Sequence, residues 1–154
     1  MTAFITTLQI LITLAYVLFV VHRYGVLTSI SASTYEFTGR ERWYFLVWLW
    51  SVALLNVLQP MDLFGFWATA GIAFTGITID HAEDVAHADK IHYISVVFAI
   101  IMTFVGFMVL YGMYLPTILL AVGSGAIYMI SKRYFIWWFE VWAFALVFGT
   151  YYFI

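Results

Sequence analysis

No cysteine occurs in the 154 residues, and proline occurs only twice. The first absence excludes disulfides, thiolate metal sites, iron–sulfur clusters and cysteine nucleophiles. The second removes the strongest helix breaker from nearly the whole chain. Charge is scarce as well: Asp, Glu, Lys and Arg make up 9% of the residues, against roughly 25% in soluble proteins. With Lys and Arg numbering 6 and a formal net charge of −2, there is no basic face to neutralise phosphates, and nucleic-acid binding is excluded. What the chain has in excess is apolar surface. Hydrophobic types reach 66%, against roughly 45–50% in soluble chains. A chain of this length cannot hide that much from water, so its solvent is lipid.

A bilayer core about 30 Å thick needs about 20 mostly apolar helical residues per crossing. Apolar runs at 2–21, 43–58, 63–79, 91–113, 116–131 and 134–154 meet or approach that length. They predict an all-α fold: a single six-helix transmembrane bundle occupying 1–154. The first run, stopped by His22 and Arg23, has no basic n-region and no small-residue cleavage site, so it reads as a retained helix and not as a signal peptide. Pro60 closes the second run and Pro116 opens the fifth. The runs lack the strict alternation of an outer-membrane barrel.

Arg23, Arg40, Arg42, Lys90, Lys132 and Arg133 all fall in the first, third and fifth connections, whereas Asp62 is the only charge in the others. By the positive-inside rule those three loops are cytoplasmic, and both termini lie outside a cell (inner) membrane. Small residues four apart (Gly65, Thr69, Ala73; Ser95, Ala99, Thr103; Thr117, Ala121, Gly125) mark faces on which helix backbones can approach closely.

Candidate chemistry concentrates in the segment 80–92. It holds three of the 4 histidines and four carboxylates. Asp84 and His87 have the i, i+3 spacing of metal-binding bundles, and Asp80 and His81 lie within reach as further oxygen and nitrogen ligands. Zinc, manganese or iron suits such a donor set better than copper(I). The simpler reading is a solvated acidic loop. His92, beside Tyr93, opens the fourth span; it either anchors among head groups or turns inward. Glu140 lies six residues after Tyr134, roughly 9 Å deeper in a helix, and an acid at that depth must be protonated, paired or facing a wet cavity. Thr75, Thr78, Ser95, Ser124 and Arg133 are its candidate partners. In the hydroxyl-rich run 28–35, Ser29 and Ser31 are the candidate functional residues. They either hydrogen-bond their own backbone or serve as a nucleophile beside a histidine base.

The run Ser29-Ile30-Ser31-Ala32 with Tyr35, the stretch 43–49, Ala70-Gly71-Ile72 with Gly76, and His92-Tyr93-Ile94-Ser95 together resemble small six-span bacterial membrane proteins. Those in turn are distantly similar to the damage-regulated autophagy modulator families. The resemblance implies six helices and singles out the Ser-Ile-Ser loop and His92-Tyr93. A more distant similarity is to the alkaline-ceramidase-like membrane metal hydrolases, whose late H-x-x-x-H motif has no counterpart in the last two spans. The expected function is that of a non-enzymatic membrane protein: a small-ion or proton pathway, a sensor, or a subunit that binds lipid or a membrane partner, including a second copy. The alternative is a metal-dependent hydrolase acting on lipid, with Asp80, His81, Asp84, His87 and His92 as ligands or bases.

Overall fold

A computed structural model describes residues 2–59, 62–77 and 85–153, with the backbone alone at 2, 39, 42, 76, 77 and 85–90. The described residues form α-helices and one 3-10 turn, without strands: α1 (Thr2–Tyr24), α2 (Ser33–Glu36), the 3-10 turn Gly39–Glu41, α3 (Arg42–Val57), α4 (Leu63–Ile77), α5 (Val85–Tyr111), α6 (Leu115–Ile130) and α7 (Phe135–Phe153). The segments Ala3–Tyr24, Ile91–Tyr111 and Phe135–Phe153 are long and apolar enough to cross a membrane. Trp43–Val57, Leu63–Thr75 and Leu115–Ile130 are shorter apolar helices.

Helix boundaries follow local chemistry. α5 ends where Gly112 adopts φ +63°, a conformation that favours glycine. The Met113 N–H then turns back to the Phe107 carbonyl at 2.9 Å, so a carbonyl left over at the helix end is satisfied by the chain that leaves it. At its other end α5 begins at Val85, so 85–90 is helix where the sequence predicted a loop. That stretch holds no glycine or proline and includes Ala86 and Ala88, so nothing in it opposes helix.

The helices run up and down in the order α5, α4, α3, α1, α7, α6 around the bundle. Contacts on α1 climb as those on α3 descend: Gln9 meets Asn56 and Thr13 meets Trp48. The α4–α5 seam is the tightest. A Cβ at Gly71 would stand 2.9 Å from that of Ala99, so the small residues there let two backbones touch. The third small-residue set behaves differently, because Ala121 and Gly125 face outward from α6. α6 instead packs on α7, where Trp142 donates its indole N–H to the Leu119 carbonyl at 3.0 Å.

The first helix reverses the pattern of a soluble bundle along part of its length. On α1, Thr6, Gln9 and Thr13 are buried while Phe4, Leu11, Leu14 and Leu18 are exposed. An apolar perimeter suits lipid, and polar groups within it must find one another. The aromatic core centres on Tyr16, which stacks on Trp48 with ring centroids 4.4 Å apart and meets Phe37 and Phe45 edge-on. Such pairs contribute about 0.5–1.5 kcal/mol each beyond area burial. Phe37 and Ile30 bring the first long connection into this core, at 1% and 2% exposure. The connection is therefore a folded plug and not a solvated loop.

Candidate functional site

The plug is organised by its own hydroxyls. The Ser29 Oγ accepts the Ala32 N–H at 3.0 Å and lies 3.1 Å from the Ser31 Oγ. The Ser33 hydroxyl donates to the Ile30 carbonyl at 2.6 Å, and Thr34 donates to the Ser31 carbonyl at 2.8 Å. Tyr16 OH lies 2.6 Å from the Ser33 Oγ. Since a serine has one hydroxyl proton and Ser33 directs it to Ile30, Tyr16 is the donor there. The run thus folds through side chain–backbone bonds that lead into the short helix α2.

One plug amide points toward α7. The Ile30 N–H donates to the Glu140 Oε2 at 2.6 Å, across 110 residues of sequence. Nearby, the Trp137 N–H, at the start of α7, bonds the Thr28 carbonyl at 3.2 Å. Among the described residues the Ile30 amide is the sole hydrogen-bond partner of Glu140. Three of the side chains expected to meet it have other partners. Thr75 donates to the Gly71 carbonyl at 2.9 Å, Ser124 donates to the Leu120 carbonyl at 2.5 Å, and Arg133 lies over the Tyr134 ring. Thr78 lies outside the described residues.

Glu140 lines a partly open cavity of ≈ 130 Å³. At this end its walls include Ser31, Thr75 and His92. His92 is buried, its Nδ1 lies 3.4 Å from the Thr75 carbonyl, and its ring tilts against Phe45. The cavity continues past Leu49, Ile100, Phe144 and Val147 to Asn56, Gln59, Asp62 and Tyr111. From His92 to Tyr111, α5 rises about 28 Å at about 1.5 Å per residue, close to the thickness of a bilayer core.

The Asp62 end is built from mutual partners. Gln9 donates to the Asn56 Oδ1 at 2.6 Å and to the Val52 carbonyl at 3.2 Å, while Gln59 donates to the Gln9 Oε1 at 3.1 Å. Asp62 caps α4, accepting the Gly65 N–H at 2.7 Å, and also accepts from Tyr111 OH at 3.3 Å. A short polar side chain three residues ahead of the amide it receives is the usual N-cap geometry.

Of the residues singled out from sequence, Ser31, His92 and Glu140 share the cavity wall. Ser29 is buried immediately behind Ser31. Tyr93 does not join them: it is 53% exposed and absent from the wall, because neighbouring helical residues point about 100° apart. Asp80, His81 and Asp84 lie outside the described residues, and His87 is described by its backbone alone. Among the described residues no group of three His, Cys, Asp or Glu side chains is placed to hold a metal.

Sequence reasoning missed the α1 ladder of Thr6, Gln9, Thr13 and Tyr16. Its signal was available, since three- and four-residue steps put all four on one face of an otherwise apolar helix. The Ile30 amide carried no such signal, because any residue supplies one. Comparison with family models, curated proteins and solved structures returns no match for this chain.

Proposed function

We propose that the protein is a six-span integral membrane protein that conducts protons along its axial cavity. The supporting observation is Glu140: a carboxylate held by one backbone amide, on the wall of a cavity that reaches Asp62 near the other end of the bundle. Intramembrane acids mark ion pathways more often than they serve packing. Ser31, Thr75 and His92 beside it, and Asn56, Gln59 and Tyr111 beyond, supply groups that can hydrogen-bond a file of water. In this reading α3, α4 and α6 span the bilayer together with the three longer helices. The end bearing Arg23, Lys132 and Arg133 faces the cytoplasm.

The test is proton flux into vesicles reconstituted with the purified protein, followed by an entrapped pH-sensitive dye under an imposed potential. Flux is expected in the wild type and at least tenfold less in Glu140→Gln. Equal flux in protein-free vesicles refutes conduction. Reporters fused after Ile154 are expected to be extracytoplasmic, and the reverse result inverts the orientation. The alternative, a zinc-, manganese- or iron-dependent lipid hydrolase, requires stoichiometric metal in the purified protein, which elemental analysis measures directly.

A further inference from the structure

The described cavity wall contains acids at two levels, Glu140 and Asp62, and neither lysine nor arginine. An anion entering it would meet carboxylates without a permanent positive counter-charge, which disfavours anionic ligands. Between the two acids the wall is aromatic: Phe45, Trp48, Phe144, Phe148, Tyr111 and Tyr151 all contribute. Ring faces attract a desolvated cation through the quadrupole of the π system. A pocket that combines apolar walls with a few convergent polar groups is also the usual form of a small-molecule site. The space, ≈ 130 Å³ in all, is drawn out along the bundle and so admits only a slim ligand.

From this combination we infer that the cavity binds a small hydrophobic organic cation, an ammonium carrying roughly one aromatic ring, with the ammonium on Glu140 and the apolar part among the rings. Glu140 has capacity for it. A carboxylate offers about four lone-pair sites, and the Ile30 amide takes one of them. The described wall carries no lysine or arginine, which leaves the carboxylates to set the sign of the field. The inference rests on the reading of Glu140 as the working carboxylate of the cavity.

The experiment is titration calorimetry on the purified full chain in detergent at pH 8, with empty-micelle heats subtracted. The probes are benzylammonium, benzyl alcohol and benzoate, which share a ring and differ in charge. Benzylammonium is expected to bind at least tenfold more tightly than either of the others. Glu140→Gln is expected to lose at least tenfold in benzylammonium affinity while benzyl alcohol stays within twofold, which also reports that the variant's cavity is intact. Benzoate binding as tightly as benzylammonium overturns the inference, as does undiminished benzylammonium affinity in Glu140→Gln. Proton flux in ligand-free vesicles separates the two readings. Flux without benzylammonium binding overturns the ligand and leaves conduction standing; binding without flux supports the ligand and overturns conduction.

Discussion

The two polar ends of the cavity solve the same problem differently. At the Asp62 end, Gln9, Asn56 and Gln59 hydrogen-bond one another, and Asp62 receives both a backbone amide and a tyrosine hydroxyl. At the Ser31 end, the serines and threonine of the plug face their own backbone, and Glu140 receives a single amide. A closed network of side chains rigidifies the helices it joins, since each member loses a partner if any one moves. A carboxylate with spare acceptor capacity is free to take a proton, a water or a cation. The Asp62 end is therefore read as the braced part of the cavity and the Ser31 end as the part where a proton or cation is held.

The largest expected effect breaks that comparison most directly. Glu140→Leu removes the acceptor of the Ile30 amide, and an unsatisfied buried amide costs about 1–3 kcal/mol. Glu140→Gln retains an oxygen and is expected to lose less than half as much, measured by thermal unfolding in detergent, although proton flux falls in both. A stable, fully conducting Glu140→Leu would reduce Glu140 to a bystander. Next in size is the α4–α5 seam, which forms one wall of the cavity. Ala99→Leu inserts a bulky side chain where Gly71 leaves no room and is expected to cost about 1–3 kcal/mol. Ala121→Leu on the outward face of α6 is expected to stay within about 0.5 kcal/mol.

Smaller still is the effect at the other end. Gln9→Leu dismantles the amide network, and interhelical hydrogen bonds in membranes contribute about 0.6–1.7 kcal/mol. Flux is expected to change by less than twofold, because Gln9 itself is not part of the cavity wall. If flux fell as far as in Glu140→Gln, both ends would belong to the site and the distinction would fail. Tyr16→Phe is the finest probe. It deletes only the bond to Ser33 and is expected to cost about 0.6 kcal/mol, because the stacking on Trp48 survives.

How far the sequence reached can be judged from these same residues. Apolar runs located the helices, because span length is set by the bilayer and not by tertiary detail. The boundaries moved by a few residues wherever a cap decided them, as at Gly112. Glu140 was visible because an acid in an apolar run has no ordinary explanation, and its depth followed from helical rise alone. Its partner was invisible, because a main-chain amide leaves no mark in composition and comes from the far end of the chain. The burial of Phe37 and Ile30 was hidden for a related reason: the hydroxyls of 28–35 announced that they could bond their own backbone, but not which apolar neighbours that fold would carry inward. Tyr93 was paired with His92 by adjacency, which on a helix means different faces.

The bond between Ile30 and Glu140 also has a consequence in time. Helices α1 and α3 can pair as soon as both have left the ribosome, but the plug between them gains its acid only when α7 arrives. For most of synthesis, the segment that closes one end of the cavity is without its final partner. Sequence-distant contacts form late and slowly, so this end of the cavity is completed only after α7 has joined the other helices. Until then the plug is held only by its own hydroxyl bonds and by Tyr16 of α1.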